Sequence, residues 1–197
     1  MITINNNPKV NISYVSSGHF IAQEEWIHPK RVIDTYEIIF ITQGQVFLKE
    51  ENKDYVLSEN DVLILSPYCQ HGGYKSSPAD TSFYWFHFHL SDSLFLDSLP
   101  KHFSTQDSLK IKTLLKQLLD TANSSNYPEY AADLIVCTIL CELIAQYRSS
   151  RNLSNRLCNE ISEWIRINSD KKITVSMVSE KFGYNSDYLS RLFKAYF

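Results

Sequence analysis

The sequence predicts an α+β protein, in which a small antiparallel β-barrel or jelly roll precedes a set of helices and a helix-turn-helix. Three observations predict this fold class. Short β-branched and aromatic runs broken by polar turns fill residues 36–90, apolar residues recur at helical spacing after residue 107, and two short helical patterns flank Gly183. Strands followed by helices, rather than alternating with them, indicate an α+β arrangement.

Composition bounds the class of protein. The chain has 197 residues, of which 44% are hydrophobic and 21% are charged, as is typical of a globular protein with its own core. It contains no run of about eighteen apolar residues, so no membrane span is expected. The first ten residues lack a basic region followed by an apolar stretch, so we expect no secretion signal and a cytoplasmic location.

The four cysteines predict free thiols rather than a metal site or a disulfide framework. No CxxC pair and no Cys/His zinc spacing occurs among Cys69, Cys137, Cys141 and Cys158. Cys137 and Cys141 lie four residues apart within a helical pattern, where two buried thiols are the expected arrangement.

Charge is distributed unevenly along the chain. Residues 1–149 carry 11 Lys/Arg and 17 Asp/Glu, a net charge of −6, whereas residues 150–197 carry 8 and 5, a net charge of +3. The basic excess therefore coincides with the helix-turn-helix pattern. Contact with the phosphates of a nucleic acid requires positive charge at that place.

The predicted strands are short and closely spaced. They cover residues 36–42, 46–49, 55–57, 61–65 and 83–90, with a turn at Gln43-Gly44. Residues 1–30 show few periodic cues and are predicted to be irregular. A series of short strands with frequent turns is typical of a small barrel or jelly roll.

Three helices are predicted between the strands and the helix-turn-helix. The first begins after residue 107, the second covers residues 129–148, and the third covers residues 155–168 after a polar break at residues 149–154. The second helix carries apolar residues over more than one stripe, so it must be covered on two sides. Either the barrel and a second subunit cover it, which makes the protein a homodimer, or the core of its own chain does.

Residues 174–197 predict two short helices around a turn. Val175, Met177, Val178 and Phe182 lie on one side of the first helix, and Gly183 tolerates a left-handed turn. Asn185 and Ser186 are N-cap candidates for the second helix. The apolar residues of that second helix are spaced for burial, namely Tyr188, Leu189, Leu192, Phe193 and Tyr196. The alternative to a helix-turn-helix is an ordinary helical hairpin.

The string VSEKFGYNSDYLSRLFK, residues 178–194, resembles the first helix-turn-helix of AraC-type (AraC/XylS) transcription regulators. The resemblance implies sequence-specific binding to promoter DNA, commonly through two such units. The chain stops at Phe197, before a second unit, so we expect weak DNA binding by this chain alone. The resemblance to AraC-type regulators also implies base contacts by Asp187, Ser190 and Arg191. The DNA-binding residues expected in all are Asn185, Ser186, Asp187, Ser190, Arg191 and Lys194.

The predicted barrel resembles a cupin, the effector-binding fold common at the N-terminus of AraC-type regulators. The resemblance depends on Glu37 before Gly44, on residues 60–64 and on residues 67–71. Three parts follow for the chain: a cupin-like ligand-binding barrel at residues 1–104, linking and dimerisation helices at residues 105–150, and an incomplete DNA-binding domain at residues 151–197.

A metal site is the less favoured interpretation of the barrel. Metal-binding cupins use two His, a Glu and a later His, and Glu37 and His71 match the last two positions by resemblance. The paired His would fall near Arg31 and Ile33, and neither side chain is a suitable ligand. We therefore expect no cofactor and no enzyme activity. The alternative is a cupin-type metalloenzyme with a helical accessory domain, in which His87 and His89 supply ligands.

Strand alternation predicts a ligand pocket instead. It places Glu37, Ile39 and Ile41 on one strand face, and Phe83, Trp85, His87 and His89 on another. An indole flanked by His, Tyr and Glu suits a sugar, because the ring packs on C–H groups while polar groups bond hydroxyls. The expected ligand-binding residues are Glu37, Ile41, His71, Tyr74, Trp85 and His87. The alternative is that these side chains fill a closed core.

The function predicted from these features is ligand-responsive transcription regulation. A small-molecule effector, expected to be a sugar, fills the barrel and changes the arrangement of domains or of a homodimer. A separate alternative is a binding or dimerisation module that does not bind DNA.

Overall fold

The computed structural model describes residues 11–91, 96–170 and 172–196, and the side chains of these except at residues 152–155. The chain forms two compact units, Met1–Tyr147 and Arg148–Phe197. The described residues of the first unit contain nine strands: β1 Ile12–Ile21, β2 Arg31–Val32, β3 Tyr36–Gln43, β4 Gln45–Glu50, β5 Lys53–Ser58, β6 Asp61–Leu65, β7 Gln70–Gly73, β8 Ser82–Leu90 and β9 His102–Ser104. The helices are α1 Ser108–Ala122, α2 Ala131–Ile167, α3 Val175–Phe182 and α4 Ser186–Tyr196.

The strands form two antiparallel sheets. The large sheet has the order β1-β8-β3-β6-β9, and the small sheet has the order β2-β7-β4-β5. In the described residues the two sheets do not close into one barrel. The β part is a cupin-like jelly roll. The predicted α+β class, with an N-terminal jelly roll and following helices, is confirmed.

The large sheet is buried on both faces, because its strands alternate between two apolar clusters. On one face, Ile39, Ile41, Leu63, Leu65 and Phe83 pack between the sheets with residues of β4 and β5. The opposite face packs against α1 and α2 through Ile38, Phe40, Val62, Ile64, Tyr84, Phe86 and Phe88. The predicted alternation within β3 and β8 is confirmed, except that His89 lies exposed near the end of β8.

The helices of the first unit cover one face of the large sheet. Asp107 caps α1 by accepting a hydrogen bond from the Lys110 backbone N–H at 3.1 Å. The buried side of α2 in this unit consists of Val136, Ile139, Leu140, Leu143 and Ile144. Leu134 is exposed on the same helix. The chain's own sheet therefore covers one side of α2, and the expectation of a homodimer stays a prediction. All four cysteines carry free thiols, but the expectation that Cys137 and Cys141 are both buried is wrong, since Cys137 is half-buried and Cys141 is exposed.

Two secondary-structure predictions are wrong. Residues 12–21 are not irregular but form β1, which pairs with β8 along its whole length. The segment contains strand-favouring side chains at both ends, but Ser16, Ser17 and Gly18 interrupt the pattern in its middle, where pairing with the aromatic strand β8 stabilises it. The predicted break at residues 149–154 is helical, since α2 continues from Ala131 to Ile167. Ser and Asn cost only a few tenths of a kcal/mol in a helix relative to Ala, and neither Gly nor Pro is present to end it.

None of the helices in the described ranges combines the length and apolar character that a bilayer span requires.

The second unit contains the end of α2 together with α3 and α4. Its core consists of Ile161, Val178 and Leu189, with partly buried neighbours such as Trp164 and Phe182. Gly183 ends α3 in the left-handed conformation at φ 73°, as predicted. Tyr188 and Tyr196, predicted to be buried here, are exposed instead, and Val175 and Met177 of α3 are exposed as well. Since α3 and α4 are only 8 and 11 residues long, the core that they share is too small to cover the apolar side chains near the helix ends.

Candidate functional site

A polar cluster lies inside the jelly roll, next to the apolar core between the sheets. The register of the strands assembles it, because Glu37 of β3 lies opposite His87 of β8, and Arg31 of β2 lies opposite His71 of β7. Glu37 is 1% exposed. The Arg31 Nη2 atom donates to both of its carboxylate oxygens at 3.1 Å, so the buried carboxylate has a partner of opposite charge.

Two histidines complete the contacts of the Glu37 carboxylate. The Nε2 atom of His71 is 3.6 Å from Oε2, and the Nε2 atom of His87 is 3.5 Å from Oε1. Arg31 Nε also donates to His71 Nε2 at 3.2 Å, which assigns His71 the tautomer with its proton on Nδ1. Thr35 Oγ1 lies 2.9 Å from His87 Nδ1 and fixes the orientation of that ring.

Burial and charge set the protonation states in this cluster. Burial alone would raise the pKa of Glu37, but contact with His87 and the charges nearby, Arg31 included, more than offset it and hold that pKa below its ordinary value. Burial lowers the pKa of His28 to about 4, with Glu37 opposing the shift. Burial likewise lowers the pKa of His71. At neutral pH the cluster holds a carboxylate paired with a guanidinium, and His28 and His71 are uncharged beside them.

Aromatic side chains lie beside the polar cluster. The Trp85 indole lies over Gly18, its cross-strand neighbour in β1, so closely that a Cβ atom at Gly18 would come within 2.6 Å of the ring. The Trp85 ring meets His87 edge-on with centroids 5.2 Å apart, and Trp26 meets His28 in the same way at 5.4 Å. Half-buried indoles beside buried imidazoles give the cluster both apolar faces and hydrogen-bonding edges.

The donor set does not fit a metal ion. Glu37 and the two histidines approach one another, but the Arg31 guanidinium takes both carboxylate oxygens and supplies the positive charge there. Among the described residues, no group of three or more His, Cys, Asp or Glu side chains has an arrangement that could hold a metal. The cluster can instead offer hydrogen bonds and aromatic faces to a small polar molecule.

The structure brings together four of the six residues predicted to bind a ligand, namely Glu37, His71, Trp85 and His87. Ile41 is fully buried in the apolar core between the sheets. Tyr74 is 42% exposed, with its ring against the edge of Phe47. It lines a surface cavity of about 270 Å³ together with Lys30 and Lys49.

The sequence analysis does not predict that Arg31, His28 and Thr35 belong to the cluster. Arg31 is visible in the sequence only as a poor metal ligand, and its partner Glu37 depends on long-range pairing of a two-residue strand. His28-Pro29 precedes that strand without a pattern of its own. No local signal could have identified the set.

The second candidate site is the outer face of α4. Asn185 caps the helix as predicted, since its Oδ1 accepts from the N–H groups of Asp187 at 2.8 Å and Tyr188 at 3.4 Å. Asp187, Ser190, Arg191 and Lys194 are exposed. Ser186 is half-buried, and its hydroxyl lies 2.8 Å from that of Ser179. Five of the six predicted DNA-binding residues are therefore exposed, although the Asn185 side-chain oxygen serves as the cap, and the sixth, Ser186, is half-buried.

Two of the exposed polar side chains on α4 bond to carbonyl groups of the same helix. The Ser190 hydroxyl donates to the Ser186 carbonyl at 2.8 Å, and Arg191 Nε donates to the Asp187 carbonyl at 3.4 Å. In the described part of the chain, no carboxylate forms an ion pair with Arg191. Its guanidinium therefore keeps donors for an external partner.

Comparisons with known proteins identify relatives of this chain. It is similar to the uncharacterized HTH-type transcriptional regulator YisR of Bacillus subtilis (strain 168), with 21% identity over 90% of this chain and 70% of that protein. Among solved structures it is similar to the AraC-like transcriptional activator CuxR, with a TM-score of 0.41, 11% identity, and coverage of 94% of this chain and 69% of the other.

The cupin domain of Cnp3 from Schizosaccharomyces pombe is also similar, with a TM-score of 0.32, 11% identity, and coverage of 46% of this chain and 67% of that one. The family model described as the AraC-like ligand binding domain matches residues 13–136, which is more than half of the chain. That match spans the jelly roll, α1 and the beginning of α2. The chain therefore belongs to the family of AraC-like ligand-binding domains.

Proposed function

We propose that this protein regulates transcription by binding promoter DNA through α3 and α4 and by binding a small uncharged molecule inside the jelly roll. One observation carries the proposal: a ligand-binding domain of the AraC-like family precedes a capped helix with free polar groups. Gly183 and Asn185 end α3 and begin α4 as a helix-turn-helix requires. Arg191 and Ser190 read base edges, while Lys194 contacts phosphate.

The interior cluster supports an uncharged, hydroxyl-rich ligand such as a sugar. Glu37 offsets the charge of Arg31, so a ligand with its own charge would bring a charge without a partner into a largely buried site. The His87 imidazole and the Arg31 guanidinium supply donors and acceptors for hydroxyl groups, whereas the two nitrogens of His71 already contact Arg31 and the Cys69 carbonyl. The Trp85 ring supplies an apolar face for C–H groups.

A homodimer is part of the proposal. The exposed Leu134 on α2 lies one turn from the exposed Thr138, and Cys141 follows on the same side. A second copy would cover this side of the helix. Ligand binding would then regulate DNA binding by changing the arrangement of the copies.

The DNA part of the proposal is tested by selection from a random duplex library at moderate salt with the full chain. We expect enrichment of a short sequence, and Arg191→Ala should relax the preference at one base pair by about tenfold, since a bidentate guanine contact contributes about 1–3 kcal/mol. Arg156→Ala is the matched control, because that arginine is exposed but pairs with Glu160. If no sequence is enriched over random duplex, this chain does not bind DNA sequence-specifically.

The ligand part is tested by calorimetric titration with neutral monosaccharides and the matching uronic acids. We expect a neutral sugar to bind, and its affinity should fall about tenfold in Trp85→Leu and in His87→Gln, as each removes a contact of about 1–2 kcal/mol. His89→Gln is the control, because His89 is exposed on the same strand. Preferential binding of the uronic acids, or equal effects of all three substitutions, would contradict the proposed site.

A further inference from the structure

A second cavity lies on the opposite face of the large sheet from the polar cluster, at the other end of β8. It has a volume of about 360 Å³, and its lining comes from the ends of β1 and β3, from the beginning of β8, and from α1. Ser82 and His87 are five residues apart, so the two sites are separated by roughly 16 Å along the strand at about 3.3 Å per residue. Since Tyr84 faces the helices and Trp85 faces the other sheet, the sites also lie on different faces.

The floor of this cavity is a hydrogen-bonded chain of side chains. Thr42 Oγ1 donates to Ser82 Oγ at 2.8 Å, and Ser82 Oγ lies 2.9 Å from His19 Nε2. A serine hydroxyl has one proton and two lone pairs, so Ser82 can accept from Thr42 and also donate its O–H to Nε2; in that tautomer the proton of His19 lies on Nδ1. Within the described residues, that Nδ1–H group has no hydrogen-bond partner. Ser82 is nearly buried, so the chain is fixed in the floor.

An aromatic surface continues this floor. The His19 ring stacks on the Tyr84 ring, with centroids 4.1 Å apart and planes 12° from parallel. Ile21, two residues further along β1, lines the same cavity and is 53% exposed. An apolar body could pack on this surface while its polar group reaches the Nδ1–H donor.

The residues that line the cavity include two lysines and one carboxylate, and the charge of Asp120, outside the lining, acts on Tyr84 as well. Lys112 and Lys116 lie one turn apart on α1 and both line the cavity. The Lys112 ammonium is 3.6 Å from the Glu59 carboxylate, whereas no carboxylate of the described residues pairs with Lys116. Asp80 is the acidic residue of the lining. Burial and the charge of Lys116 lower the pKa of His19, so the imidazole is uncharged at neutral pH.

We propose that this cavity binds a small organic anion, whose carboxylate or phosphate group contacts Lys116 and Lys112 and whose apolar body packs on His19, Tyr84 and Ile21. The Nδ1–H of His19 donates to the anion. Charge-assisted hydrogen bonds of this kind are about twice as strong as neutral ones. The stacked rings of His19 and Tyr84 favour a ligand whose apolar part is flat or short. This effector site is independent of the sugar-type site inside the jelly roll.

The test follows the imidazole resonances of His19 by NMR in the full chain, assigned by comparison with His19→Gln. Benzoate and phenyl phosphate are the charged probes and benzyl alcohol is the uncharged one. We expect saturable shifts with at least one anion and none with the alcohol, and the preferred anion distinguishes a carboxylate from a phosphate ligand. A bound anion should also raise the pKa of His19, because its charge opposes that of Lys116.

Substitutions on the rim give opposite expectations. Lys116→Gln should weaken anion binding about tenfold, the loss of one charge-assisted bond. Asp80→Asn should strengthen it by removing the nearby carboxylate, and Asn tolerates the positive φ of 63° that Asp80 adopts. Lys181→Gln, an exposed lysine in the other unit, is the charge-matched control. The proposal is overturned if Lys116→Gln and Lys181→Gln bind the anion equally, or if benzyl alcohol shifts His19 as much as the anions do.

Discussion

His28 should make the stability of the first unit depend on pH. Its pKa falls from an ordinary 6.5 to about 4 on folding, so the unfolded chain binds the proton first as the pH falls. The stabilisation is complete above pH 6.5 and is lost between pH 6.5 and pH 4. Urea unfolding at pH 7 and pH 5 should show a loss of about 2 kcal/mol attributable to His28, at about 1.4 kcal/mol per pH unit.

The matched variants separate this contribution from those of other histidines. His28→Gln should lose about 2 kcal/mol less than the wild type over the same pH interval, because Gln does not titrate. His89→Gln, an exposed position, should behave as the wild type does. If all three proteins lose the same stability between pH 7 and pH 5, burial of His28 is not the cause.

Arg31 shows how far a single residue can be interpreted from sequence. The alternation of β3 and β8 predicts that Glu37 and His87 share the interior, because each face of a strand repeats every second residue. The position of Arg31 depends on β2 pairing with β7, and a two-residue strand leaves no periodic pattern. The sequence therefore predicts the carboxylate and the histidines of the cluster but not the guanidinium that neutralises the carboxylate.

Strands and helices were predicted well where local pattern determines them. The strand at residues 61–65 has the predicted bounds, and α4 begins after the predicted cap. β1 was missed, because its partner β8 contributes the aromatic residues that stabilise the pair. The break predicted at residues 149–154 of α2 is wrong for a different reason. Polar residues without Gly or Pro do not end a helix that is already formed.

The cap of α4 should be measurable in the stability of the second unit. Asn185→Ala removes the acceptor for two backbone N–H groups and should destabilise this unit by about 1 kcal/mol, as N-cap substitutions do. Asn185→Asp should retain most of that stability, because its carboxylate accepts the same bonds. Circular dichroism at 222 nm during thermal unfolding provides the measurement.

Lys181→Ala is the control for the cap, because it changes an exposed residue of α3 and should alter stability by less than about 0.5 kcal/mol. Equal losses for Asn185→Ala and Asn185→Asp would show that the side-chain oxygen is not the source of the stabilisation.

The first unit contains a complete core and should fold without the second. The buried residues of the jelly roll and its helices all precede residue 148, and the Gln146 side chain accepts from the N–H groups of Gln106 and Asp107 at 3.0 and 2.9 Å. We therefore expect a chain that ends at Tyr147 to unfold cooperatively and to keep the near-ultraviolet circular dichroism of its tyrosines and tryptophans.

A chain that ends at Tyr130 is the informative comparison. It lacks Val136, Ile139, Leu140 and Leu143, all buried against the large sheet, and should aggregate or lose cooperative unfolding. Cooperative unfolding of both shortened chains would show that α2 is dispensable. If neither shortened chain unfolds cooperatively, the first unit is not an autonomous domain.

Strand β8 has consequences for anyone who searches for ligand contacts by random mutagenesis. Consecutive side chains along its middle enter different interiors, Trp85 and His87 on one side and Phe86 and Phe88 on the other. No position in that stretch is neutral, because each substitution disturbs one of two cores. Loss of response in a genetic screen would therefore cluster on β8 whether or not the altered residue contacts an effector. Only variants that keep the wild-type melting temperature could be attributed to binding.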